Sequence, residues 1–188
     1  KGNEQIVFAA VSNKGSALRF ASKDLRGKRE IVAAACCRDP SALRFATKAE
    51  VVHFVSMKGE ALEYVSEEFK EDLSVVEAAV RNELQAFRFA GRRPVANYLS
   101  KIGALLQYAS PEVQADCDLV TLAVQSEPSA LRFAAPAVKD SESVVLFAVS
   151  KDGLALEHAS ERLRREVSSD RESPLIFAIR QNGLAIQF

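Results

Sequence analysis

One six-residue phrase constrains this chain more than any other feature, because the chain repeats it. Ser41-Ala42-Leu43-Arg44-Phe45-Ala46 recurs identically from Ser16 to Ala21 and from Ser129 to Ala134. Looser copies run from Glu60 to Val65, Gln85 to Ala90, Ala104 to Ala109, Leu154 to Ala159 and Leu184 to Phe188. Self-similarity at this period is the signature of a repeat architecture. The aromatic or histidine of each copy serves as its anchor: Phe20, Phe45, Tyr64, Phe89, Tyr108, Phe133, His158 and Phe188. The first six anchors alternate steps of 25 and 19 residues, a super-repeat of 44.

Columns counted back from the anchor show what each unit contains. Thirteen residues before it stand Val7, Val32, Val51, Val76, Val95, Val120, Val145 and Leu175. Ten before stand Ala10, Ala35, Phe54, Ala79, Tyr98, Ala123, Ala148 and Ala178; nine before, Val11, Cys36, Val55, Val80, Leu99, Val124, Val149 and Ile179. Apolar columns three and four apart share one face of an α-helix, so each unit opens with an amphipathic helix. Gly15, Gly59, Gly103, Gly153 and Gly183 lie five before their anchors, where a left-handed residue would end that helix. Asp39-Pro40 and Glu127-Pro128 replace the glycine in two units, with Pro at the first position of the next helix and Asp39 as its cap. Leu84 brings neither device.

Across each copy of the phrase we expect a second helix of about eight residues, held by packing against its neighbours. Leu43, Phe45 and Ala46 then face inward, and the anchor aromatics form the core. Ser22, Ser66, Ser110 and Ser160 open a further short turn. Leu25, Phe69, Val113, Val138 and Leu163 follow it and return to the core. Such a unit cannot bury its apolar face alone, and side-by-side stacking solves that. The expected fold is all-α, an α-solenoid of short helix–turn–helix repeats in alternating 25- and 19-residue units. It runs through residues 1–188 as one continuous domain of seven full repeats and a truncated eighth. The chain opens almost on a repeat helix and stops on the eighth anchor, without the polar caps that solenoid ends use. The expectation is a segment of a longer polypeptide.

The pattern Val-x-x-Ala-Val-x-x-x-Gly-x-Ala-Leu-x-Tyr/His-Ala-Ser resembles the repeats catalogued as domain of unknown function 4116. Val145 to Ser160 (VLFAVSKDGLALEHAS) and Leu175 to Phe188 (LIFAIRQNGLAIQF) carry the resemblance most closely. It covers essentially the whole chain and departs at Asp39-Pro40, Leu84 and Glu127-Pro128, where the family-like glycine is absent. The resemblance implies tandem helical repeats within larger proteins of protists and some bacteria. It brings no established activity, so it transfers no functional residue.

Charge and chemistry narrow the function classes. Lys plus Arg and Asp plus Glu are 25 each, so the net charge is zero. A general phosphate-neutralising surface needs a basic face, which argues against nucleic acid, while zero net charge favours association. Cys36, Cys37 and Cys117 form no CxxC pair and read as buried free thiols in an intracellular, reducing compartment, cytoplasm or organelle interior alike. No apolar run reaches the ~18–20 residues of a membrane span. His53 and His158, the two histidines, show no ligand spacing, so no metal or cofactor site is expected. No GxSxG, GxGxxG or GxxxxGK[ST] is present, and Glu67-Glu68 and Glu71-Asp72 read as solvated turn residues. We expect no enzyme and no small-molecule substrate.

The column just before the anchor is the exception to this blandness. It reads Arg19, Arg44, Glu63, Arg88, Gln107, Arg132, Glu157 and Gln187. In aligned neighbours Arg44 meets Glu63 and Arg132 meets Glu157, a ladder of exposed pairs worth ~0–1 kcal/mol each. The same column is the candidate partner-facing stripe. The function expected is a non-catalytic scaffold or protein–protein interaction module that docks on a protein partner or larger assembly. The first alternative is a permanently bound peripheral subunit of a large assembly, organellar ones included. The second is a single-stranded RNA-binding repeat, favoured by the arginines and opposed by the interleaved Glu63 and Glu157.

Overall fold

The computed structural model describes residues 3–165 and 174–181, apart from the side chains of Leu175, Phe177 and Gln181. The eighth copy, with Gly183, Gln187 and Phe188, lies outside the described residues. Regular structure is entirely helical, with no strand among the described residues. Contacts divide the chain into two compact units, Lys1–Pro94 and Val95–Phe188.

The first unit runs α1 (Glu4–Asn13), η1 (Gly15–Phe20), α2 (Lys23–Arg26), α3 (Arg29–Arg38), η2 (Pro40–Phe45), α4 (Lys48–Met57), η3 (Gly59–Tyr64), α5 (Glu67–Lys70), α6 (Leu73–Asn82) and η4 (Leu84–Phe89), η marking a 3₁₀ helix. The division falls inside α7 (Arg92–Leu99). The second unit continues with η5 (Gly103–Tyr108), α8 (Pro111–Gln114), α9 (Cys117–Ser126), η6 (Pro128–Phe133), α10 (Pro136–Lys139), α11 (Glu142–Lys151), η7 (Gly153–His158), α12 (Glu161–Arg165) and α13 (Pro174–Gln181).

The opening helices follow the columns. Val7, Val32, Val51, Val76, Val95, Val120 and Val145 are buried, as are Val11, Val55, Val80, Leu99, Val124 and Val149. Fourteen before the anchor, Ile31, Val75, Leu119 and Val144 are buried too, while Ile6 in α1 is 67% exposed. Glu50 holds that place in α4, the one buried charged side chain among the described residues, and accepts from Arg29 Nε at 3.5 Å.

The second element corrects the expectation. Every described copy of the phrase forms a six-residue 3₁₀ helix rather than a longer α-helix. At three residues per turn, positions three apart stack into one edge. That edge holds the residues five and two before the anchor and one after it, such as Gly59, Leu62 and Val65, or Gly103, Leu106 and Ala109, all buried. The anchor aromatics are thereby turned off the core. Phe20 is 58% exposed, and Phe45, Tyr64, Phe89, Tyr108, Phe133 and His158 are only partly buried. The core residue of each copy stands two earlier: Leu18, Leu62, Phe87, Leu106, Leu131 and Leu156 are at 0% exposure and Leu43 at 2%.

The glycines also do a different job. No described residue has a positive φ, so none ends a helix in the left-handed region. The opening helices α1, α3, α4, α6, α9 and α11 instead end on an extended residue, such as Lys14 at φ −141° or Asp39 at φ −150°. Glycine follows because the next repeat crowds it. A Cβ on Gly59 would sit 2.9 Å from the Ala79 carbonyl oxygen and 2.8 Å from Glu83 Cβ. One on Gly15 or Gly103 would fall on the carbonyl oxygen of Ala35 or Ala123. Pro40, Leu84 and Pro128 start their 3₁₀ helices after the same extended residue, and Asp39 accepts the Ser41 N–H at 3.0 Å as expected.

The short helices account for the unequal steps. Where anchors stand 25 apart, a helix of four residues follows the 3₁₀ helix; after Phe45 and Phe89, where the step is 19, none does, and α12 follows η7 in the 30-residue step from His158 to Phe188. Ser22, Ser110 and Ser160 cap their short helices, accepting from Leu25, Val113 and Leu163 at 3.5, 3.4 and 3.3 Å. The short helix then receives a backbone bond from the next repeat: Thr47 to Arg26 (3.2 Å), Gly91 to Lys70 (2.9 Å), Ala135 to Gln114 (2.8 Å) and Ser160 to Lys139 (2.9 Å). Each such bond contributes about 0.5–1.5 kcal/mol. With a short helix between them, α1 packs on α3, α4 on α6 and α9 on α11. Across the 19-residue step α3 and α4 lack such packing, and η2 against η3 makes the join. No described helix is long and apolar enough to cross a membrane.

Candidate functional site

The 3₁₀ geometry that buries one edge pushes the position before the anchor outward. In the first unit η1, η2, η3 and η4 pack one against the next, and Arg19, Arg44, Glu63 and Arg88 are all exposed on them. In the second unit Gln107, Arg132 and Glu157 are exposed on η5, η6 and η7; Gln187 lies outside the described residues. The expected ladder does not form, since neither Arg44 with Glu63 nor Arg132 with Glu157 makes an ion pair. Three of the arginines lie instead over the aromatic beside them. The guanidinium carbon is 4.4 Å from the ring centre for Arg19 on Phe20 and for Arg132 on Phe133, and 5.5 Å for Arg88 on Phe89. Such a contact is worth ~0.5–1 kcal/mol at an exposed site and leaves the cation's outer edge in water. The opening helices behave otherwise: Lys28 pairs with Glu4, Lys48 with Asp72, and Arg81 with Glu77 at 2.7 Å.

Where α3 and α4 fail to pack, a groove of about 250 Å³ opens. Cys36, Pro40 and Leu43 form one wall, and Phe54, Met57, Ala61 and Tyr64 the other. Lys58, Glu60 and Glu63 supply its charges, with Lys58 Nζ 3.7 Å from Glu60 Oε2. Met57 is 60% exposed at the rim of this groove.

The ten-residue helix, the Gly/Leu/Ala edge and the exposed charged column recur from copy to copy. The family model for Domain of unknown function (DUF4116) matches residues 3–49, 51–93 and 141–188. The chain belongs to the DUF4116 family. Each DUF4116 match takes in two anchors: Phe20 with Phe45, Tyr64 with Phe89, and His158 with Phe188. No curated protein and no solved structure matches the chain.

Other residues of this DUF4116 chain that carry chemistry are placed differently from expectation. The thiols are free but not buried: Cys36 is intermediate, Cys37 and Cys117 exposed. Burial first, then Cys37 and Asp39, pushes the Cys36 thiol up to about 11, so the groove wall stays neutral. Glu67 and Glu68 are solvated, whereas Glu71 and Asp72 are caps. The Glu71 carboxylate accepts the Arg92 and Arg93 N–H groups, both at 3.0 Å, at the start of α7. Gly91 makes room for it, since a Cβ there would lie 2.5 Å from that carboxylate. Asp72 caps α6 through the Ser74 N–H at 3.0 Å, and its bond from Lys48 before all else holds the carboxyl down at about 2. No local pattern announces the Glu71 cap, because the helix it serves begins 21 residues later.

His53 meets Phe54 edge-on at 5.9 Å. His158 takes an aromatic's place at the end of η7, and burial, then the cations Arg132 and Lys139, lowers its pKa against the pull of Glu157. The folded chain therefore favours neutral His158, and this contribution to stability is lost as pH falls below 6.5. His158→Tyr restores the aromatic of the other copies. Thermal melts at pH 7.5 and 5.5 should show the variant losing less stability on acidification than the wild type; equal losses refute the assignment.

Proposed function

We propose that this DUF4116 chain is a non-catalytic protein-interaction module that meets its partner along the 3₁₀ faces. The observation that carries the reading is the contrast in charge use. Lys28, Lys48 and Arg81, on or capping the opening helices, are paired within the fold, while Arg19, Arg44, Glu63 and Arg88 stand exposed in a row without an ionic partner among the described residues. A fixed row of unspent charges of both signs offers register and selectivity to a complementary protein surface. Arginine beside an aromatic is also the composition enriched at protein interfaces. A single-stranded nucleic acid is less well served, because Glu63 and Glu157 interrupt the arginines. The unequal 25- and 19-residue units would set the spacing of that row.

The test is affinity capture from the native source with wild type and with the triple variant Arg19→Glu, Arg44→Glu, Arg88→Glu. A stoichiometric protein partner should appear on the wild type and fall about tenfold or more on the variant, which stays folded and loses only the ~1–2 kcal/mol of its two cation–π contacts. Retention by the variant, or no protein partner at low salt, overturns the reading. Capture of RNA with a steep salt dependence favours the nucleic-acid alternative.

A further inference from the structure

We propose that the groove between η2 and η3 anchors a partner segment carrying one aromatic-sized apolar side chain next to a basic residue. This rests on reading the 3₁₀ face as the partner side, since Glu63 belongs to both the stripe and the groove. At about 250 Å³ the groove is below the ~300–1,000 Å³ typical of small-molecule sites. It matches instead the pocket that receives a single interface anchor. Its walls are apolar and held from behind, Leu43 being 2% exposed within the core. The charge asymmetry sets the neighbour of that anchor. Lys58 is engaged by Glu60 at 3.7 Å, which leaves Glu63 as the groove's carboxylate without a cation. Glu63 is also the one acid between Arg44 and Arg88 in the row. A partner lying along the row must therefore bring positive charge beside the groove and nowhere else in that unit. The short step between Phe45 and Tyr64 creates the site, because a short helix there would bring α3 and α4 together as it does for α1 and α3.

The sequence contains a single methionine, Met57, and it lines the groove. Labelling the full chain with methyl-¹³C methionine therefore gives one reporter signal. The probe is N-acetyl-phenylalanyl-arginine amide, with the phenylalanyl-glutamate and glycyl-arginine amides as controls. The Met57 signal should shift saturably with the first, half-complete near about 1 mM, and respond about tenfold more weakly to either control. Glu63→Lys, at an exposed position, should weaken the response at least about fivefold while leaving the melt unchanged, and Ala61→Leu should block it. No shift with phenylalanyl-arginine, an equal response to phenylalanyl-glutamate, or an unaltered Glu63→Lys response overturns the proposal. A Met57 signal that moves with protein concentration alone assigns the groove to a second copy and overturns it too. The triple arginine variant keeps the dipeptide response, so a failed groove and a failed 3₁₀ face give different results.

Discussion

Leu131→Ala should lose about 3–5 kcal/mol in urea unfolding, while Phe133→Ala, two residues along the same 3₁₀ helix, should lose only about 1–2 kcal/mol. The order inverts what side-chain size suggests. Leu131 is at 0% exposure, enclosed by α9, α11 and the 3₁₀ helices on either side, so truncation leaves a cavity that its neighbours cannot collapse into. Phe133 is partly buried, with one ring face covered by Arg132 at 4.4 Å. Its removal forfeits part of a transfer term and one cation–π contact, and water fills the space. Phe87→Ala against Phe89→Ala repeats the test in the first unit, with Phe87 at 0% exposure. Equal losses within either pair would show that the anchor is core after all.

Gly103→Ala should cost about 3 kcal/mol, the upper end of what overpacking inflicts, although it adds a single methyl group. That methyl group meets the carbonyl oxygen of Ala123 and lies 2.9 Å from Glu127 Cβ. Neither obstacle is the free end of a flexible side chain, so η5 and the last turn of α9 must separate. Gly27→Ala is the control. There the nearest atoms belong to Thr47 at 3.4 Å, an ordinary contact, and the change should stay within about 0.5 kcal/mol. A left-handed role would predict strain from φ alone, but no described glycine has a positive φ. Measuring both variants separates close approach from backbone conformation: a tolerated Gly103→Ala refutes the packing account.

The aromatic column reads as core from the sequence because the six-residue phrase fits more than one helical period. In Gly103-Ala104-Leu105-Leu106-Gln107-Tyr108-Ala109 the residues spaced by three, Gly103, Leu106 and Ala109, are buried, but so is Leu105, four before Ala109. A spacing of four is also that of an α-helical face, as Val7 and Val11 show in α1, so the phrase by itself fits both helical periods. In the 3₁₀ helix that forms, positions three apart stack into one edge, and this places the anchor off the core. The Glu71 cap has no local signal at all. Its acceptor and its donors, Arg92 and Arg93, meet only after an intervening helix and 3₁₀ helix have folded back.

The amino-acid sequence alone was sufficient for the repeats, the opening helices with their valine columns, and the exposure of Arg19, Arg44, Glu63 and Arg88. Those depend on local periodicity, which each repeat states in its own residues. The tertiary structure decided which element the phrase becomes, why glycine stands before it, and where a groove opens. Each of these depends on the neighbouring repeat: the carbonyl of Ala79 over Gly59, or the space between α3 and α4 when no short helix joins them. Packing between repeats, rather than propensity within one, selects among the conformations that a six-residue phrase can adopt.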